Sequence, residues 1–133
     1  MNTKRWAGAT VAGFAAIFVL DFMVHGKLLR GLYEETKSVW RGTDHLMWLM
    51  MLGQLLFAAL FAFIYTKGYE ANKPGLGQGL RYGLLIGILT SITYISVWYV
   101  VLPIPLRLAI GWVGSGIADS LVAGALVGLI YKK

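Results

Sequence analysis

Asp21 and His25 lie four residues apart in an apolar run, so a helix would carry both on one face. A carboxylate so placed can orient an imidazole and handle a proton. His45 is the second of only two histidines, with Asp44 beside it. Asp21, His25, Asp44 and His45 make a set of nitrogen and oxygen donors that would suit a zinc or copper ion. Met23, Met47, Met50 and Met51 fall in the same stretches, and thioether with imidazole suits Cu(I). Haem held between His25 and His45 is a further option. Against these stands the absence of a tight His-x-His or His-Glu-x-x-His spacing. His45 can equally cap a helix or meet headgroups.

Asp119 is the other residue that demands an explanation. It interrupts the last apolar run, and a charged carboxylate in hydrocarbon costs several kcal/mol. Counted at about 1.5 Å per residue, Asp21 lies about 24 Å along its helix from Arg5 and Asp119 about 20 Å from Lys132. The two carboxyls are thus expected at one depth, with Gln54, Thr90 and Thr93 at broadly similar heights. Asp21, His25, Asp119 and Gln54 form the candidate cation or proton site. The competing reading is a hydrogen-bond network that only sets helix rotation.

Other chemistries find little support. The 133 residues contain no Cys, which excludes disulfides and thiol catalysis. There is no Gly-x-Ser-x-Gly elbow and no phosphate loop. Gly75-Leu76-Gly77-Gln78-Gly79 follows no strand and reads as a loop entering a helix. Asp and His suffice for acid–base work, but nothing here specifies an enzyme.

The elements that must position these residues are membrane helices. Hydrophobic residues make up 58% of the chain and charged residues 14%, where a soluble domain carries about a quarter charged. Four stretches reach the roughly 20 residues that a span requires. They run over about 6–29, 46–65, 80–102 and 106–131. The expected fold is all-α: a four-helix antiparallel bundle, one transmembrane domain over 1–133. The first run is too long for a cleaved signal and no small-x-small site follows it. Pro103-Ile104-Pro105 stops the third span and forces the fourth to return beside it.

Residues 30–43 form the sizeable outer loop, and their apolar spacing predicts an amphipathic helix on the membrane surface. Thr43 or Asp44 is placed to cap the second span. The net charge of +6 comes mostly from Lys and Arg at span ends, which argues for headgroup contact and against nucleic acid. Lys4, Arg5, Lys67, Lys73, Arg81, Lys132 and Lys133 share one side, which points to cytoplasmic termini. Trp and Tyr residues near both interfaces read as aromatic belts.

Small residues recur every four positions in the last two spans. Gly79, Gly83, Gly87 and Ser91 form one stripe, and Gly116, Ser120, Gly124 and Gly128 the other. Such stripes let backbones approach closely in lipid. Packing of these two spans on each other is expected, and a homo-oligomer seam is the alternative. A weak repeat pairs 64–67 with 130–133 and sets Gln54 beside Asp119, consistent with two repeated helical hairpins or with the shared grammar of membrane spans.

Two stretches carry a resemblance: residues 20–26 with Leu28, Leu29 and Tyr33, and residues 79–85 with Pro103-Ile104-Pro105 and 124–131. They resemble a group of small bacterial four-helix membrane proteins to which no activity is attached. The resemblance implies a bacterial inner-membrane protein with four spans, and it lends no functional residue. The functional expectation is cation or proton binding and transport through the intramembrane polar site. The alternative is a non-catalytic accessory subunit of a larger membrane complex. The expected partners are the lipid bilayer and either further copies of the chain or that complex.

Overall fold

A computed structural model describes residues 1–42 and 44–132, leaving aside the side chain of Asp44. The Thr43 or Asp44 cap expected on the second span therefore lies outside the described residues, as does Lys133. The described chain is helical. Helix α1 spans Thr3–Met23 and continues through a π-helical turn at Val24–Leu28. A short α2 covers Arg30–Glu35, followed by 3-10 turns at Lys37–Val39 and Asp44–Leu46. Three long helices complete the fold: α3 (Met47–Gly68), α4 (Gly75–Val101) and α5 (Leu106–Ile130). Four helices are long and apolar enough to cross a membrane. The chain is a multi-pass membrane protein.

Local signals set the helix ends. The Asn2 side chain accepts from the Arg5 N–H and caps α1. Pro74 and Pro105 each precede a helix, where a missing N–H costs nothing. Gln78 is buried and ties down the loop before α4, accepting from the Glu70 N–H and donating to the Glu70 and Lys73 carbonyls at 2.9 Å. At the π turn the Leu29 N–H reaches back five residues to the Val24 carbonyl at 2.8 Å. Gly26 lies within that turn, and glycine is a weak helix former.

The helices pack in the order α3, α1, α5, α4. The α4–α5 contact is the most extensive, and it uses the two small-residue stripes. Gly79 faces Gly124, Gly83 faces Ser120, and Gly116 faces Ser91. Gly75, assigned to the loop from sequence, extends the seam by meeting Gly128. A Cβ on Gly79 or Gly124 would fall inside the carbonyl of the opposite helix. The stripes are thus consumed within one chain.

A second crossing joins three helices. A Cβ on Gly13 of α1 would lie 3.9 Å from the Ala58 Cβ of α3 and 4.0 Å from the Ala123 Cβ of α5. From that point each buried stripe runs on toward the end distant from the termini. One helical turn brings α3 to Gln54 and α5 to Asp119, and two turns bring α1 to Asp21. Small apolar residues at the crossing therefore deliver polar residues just beyond it.

The hairpins do not pack with the symmetry of a repeat. Helix α1 runs along α5, whereas α3 and α4 meet at the terminal end, where Tyr82 donates to the Phe61 carbonyl at 2.8 Å. Several belt aromatics also serve packing. Trp6 Nε1 donates to the Ala59 carbonyl at 3.1 Å, and Tyr131 is fully buried against Tyr65 and Tyr69. At the far end, α2 and the turn after it fold over the bundle. Leu29, Leu32, Tyr33 and Trp40 pack on Ile104, Leu108 and Ala109. Trp48, Leu85 and Val100 remain exposed on the outer faces, as the apolar surface of a bilayer protein must be.

Gly79→Ala and Gly124→Ala are each expected to cost about 1–3 kcal/mol, because a backbone has to move. Gly53→Ala and Gly114→Ala, whose added Cβ would meet nothing within 4 Å, should stay within about 0.5 kcal/mol of the parent. Thermal unfolding in detergent measures all four.

Candidate functional site

Three helices contribute to one polar layer. From α3, Gln54 Nε2 donates to Asp21 Oδ2 of α1 at 2.5 Å. From α5, the Asp119 carboxyl neighbours Asp21 and Ser115. Within α1 and its π turn, His25 Nε2 stands 3.6 Å from Asp21 Oδ1. The same nitrogen faces Ser115 Oγ at 3.4 Å. The structure thus gathers Asp21, His25, Gln54 and Asp119 into one place.

The layer continues outward through residues with no obvious chemical signature in the sequence. His25 Nδ1 lies 2.6 Å from the Tyr33 hydroxyl. Trp112 Nε1 donates to the same hydroxyl at 2.6 Å. Trp40 packs edge-on against Tyr33, with ring centroids 5.4 Å apart, and its Nε1 donates to Thr36 Oγ1. Sequence reasoning assigned Tyr33, Trp40 and Trp112 to an interfacial belt. Aromatic type and nearness to a span end mark an interface, but not which helix each ring faces. Ser115, one turn before Asp119, was the signal that could have been followed.

Hydrogen-bond accounting sets the character of the site. Two carboxyls and an amide oxygen supply acceptors, while Gln54 Nε2, Ser115 and one His25 nitrogen supply the donors. Asp119 Oδ1 and Gln54 Oε1 are buried and have no hydrogen-bond partner among the described residues. Acceptors therefore exceed donors in a place where each unsatisfied group is costly. A proton or a small hard cation is the chemistry that balances such a surplus. The site is not sealed, since the Asp21 and His25 side chains keep 29% and 34% of their surface.

The remaining expected ligands lie elsewhere. His45 is exposed on the turn before α3, and the Asp44 side chain lies outside the described residues. Met23, Met47, Met50 and Met51 are all exposed on outer faces and do not converge. Among the described residues, no three His, Asp or Glu side chains are grouped to hold a metal ion. Both nitrogens of His25 are turned to Tyr33, Ser115 and Asp21, away from any pairing with His45 over a metal or haem. Thr90 and Thr93 are exposed and bond back to the Ile86 and Leu89 carbonyls of their own helix. Neither joins the layer.

Comparison with protein-family models, curated proteins and solved structures finds no match for this chain. The resemblance to small bacterial four-helix membrane proteins rests on its own residues.

Burial pushes the Tyr33 hydroxyl from its ordinary 10.0 up to about 12, against the pull of the Trp112 N–H bond. The folded chain holds this proton more tightly than the unfolded chain does. The resulting stability is complete below pH 10.0 and is lost as the pH rises through about 12. Unfolding in detergent should show the gap between the parent and Tyr33→Phe narrowing over that interval. An unchanged gap would place Tyr33 in water.

Proposed function

We propose that this protein binds a proton or small cation at the Asp21–Gln54–Asp119 layer and passes it across the membrane. The observation that carries this reading is the surplus of acceptors inside an apolar bundle. A network serving only to set helix rotation is expected to satisfy its own members. Here Asp119 Oδ1 and Gln54 Oε1 are left over. Two neighbouring carboxyls in a low dielectric repel when both are ionised, so a proton or cation between them is held by both. His25 and Tyr33 continue the polar path toward the far end.

The setting of this site is a bacterial inner membrane, with both termini in the cytoplasm. The resemblance to small bacterial four-helix proteins supports the first part. The clustering of Lys4, Arg5, Lys67, Lys73, Arg81 and Lys132 toward the terminal end supports the second. One protomer of four helices encloses little space for a hydrated path, which favours at least a dimer. The accessory-subunit reading draws on the outer half of α4, where Leu89, Ile92, Val97 and Val100 face away from the bundle.

In liposomes containing the purified protein, an imposed gradient should drive proton or sodium flux. Asp21→Asn and Asp119→Asn should each abolish it while leaving the protein folded. Equal flux in the parent and both variants would defeat the proposal. Topology is tested separately. Alkaline phosphatase fused after Lys133 should be inactive and fused at Lys37 active, and the reverse pattern would invert the orientation.

A further inference from the structure

The hydrogen bonds at Tyr33 have one consistent direction. An indole N–H only donates, so the Tyr33 oxygen accepts from Trp112. The hydroxyl proton then needs an acceptor, and His25 Nδ1 lies 2.6 Å away. Nδ1 is therefore bare and the ring proton sits on Nε2, turned toward Ser115 and Asp21. The opposite tautomer would aim two N–H groups at one oxygen. It would leave the Tyr33 O–H without an acceptor among the described residues, in a half-buried place.

We propose that Tyr33 and Trp112 are positioning residues that lock His25 as the neutral Nε2–H tautomer. This makes Tyr33, His25 and Asp21 a proton path poised to load from the end of the bundle distant from the termini. The inference rests on the carboxyl-layer reading above and narrows its ligand to a proton. A neutral Nε2–H ring offers a lone pair only at Nδ1, so it receives only on the Tyr33 side and releases only on the Asp21 side. In the loading step the Tyr33 O–H bond breaks as Nδ1–H forms. The Nε2 proton passes to an ionised Asp21 oxygen, and a hydronium ion at the far end reprotonates the Tyr33 oxygen and leaves as water. The sum is one proton moved from far-end water to Asp21. The 3.6 Å between Nε2 and Asp21 Oδ1 must first close to about 2.7–2.9 Å. Turning the ring over does not exchange its two nitrogens, so resetting requires Nδ1 to release its proton to water as Nε2 takes one up, an exchange that opens the Tyr33 contact. Among the described residues, the groups that meet His25 are Asp21 on α1, Tyr33 on α2 and Ser115 on α5, with Trp112 behind Tyr33. None of them is a cation that would repel an arriving proton.

The test is nitrogen-15 NMR of histidine-labelled protein in lipid bilayers, with His45→Gln used to isolate the His25 signals. Parent protein should show a bare Nδ1 and a protonated Nε2. Trp112→Phe frees the Tyr33 oxygen to accept from Nδ1–H, so both tautomers should appear. Tyr33→Phe removes the donor to Nδ1, should likewise mix the tautomers, and should slow proton flux in liposomes about tenfold. A parent Nδ1–H ring, or a Tyr33→Phe flux equal to the parent's, would overturn the path and leave the carboxyl layer standing. Absent parent proton flux with the tautomer lock intact would overturn the path, and absence of both proton and sodium flux would overturn the carboxyl-layer reading with it.

Discussion

The close approach of α4 and α5 governs the rest of the molecule. Their glycine and serine stripes bring backbone against backbone, and that contact admits only one rotation of α5. In an α-helix adjacent residues are turned by about 100°. With Gly116, Ser120 and Gly124 against α4, the neighbouring stripe of Ser115, Asp119 and Ala123 is turned toward α1. Association in lipid cannot draw on the hydrophobic effect as it does in water, so close packing and polar contacts must supply it. The glycine seam thereby does more than hold two helices together. It aims a carboxyl.

That aim has consequences because the bilayer supplies no water to correct it. Asp119 meets Asp21 from α1, and Gln54 reaches the same carboxyl from α3. Small residues at Gly13, Ala58 and Ala123 bring the three helices close enough for these side chains to meet. Larger residues there would separate the helices and part the polar groups. Packing and chemistry therefore depend on the same few positions. The acceptor surplus sits one to two turns beyond the tightest crossing, where the helices leave room for a side-chain cluster.

The connection between α1 and α3 completes the arrangement from outside. The π turn at Val24–Leu28 shifts the helical register before α2 begins, and α2 lays Tyr33 over His25. Trp112 of α5 fixes the other side of the same hydroxyl. A segment that would pass as a surface helix by its amphipathic pattern is instead folded across the end of the bundle. The Arg107–Glu35 contact at 3.3 Å is fully at the surface and adds little to that placement. The apolar cluster under Leu32 and Trp40 holds it.

Much of this was legible in the residues themselves. Apolar length marked four spans, Pro103 and Pro105 marked the tight return, and the period of four picked out the faces of α4 and α5 that meet. The same period placed Asp21 with His25, and simple rise arithmetic brought Asp119 near the depth of Asp21. These are local properties, set by helix geometry and by the cost of exposing a backbone to lipid. The partners of each polar group were a different matter. Nothing in the spacing tells that Gln54 turns to Asp21, that Tyr33 and Trp112 close on His25, or that His45 stays outside. Such pairings depend on the rotation and tilt of one helix against another and on a single π turn. Those quantities are decided by contacts between distant segments, so only the tertiary structure could supply them.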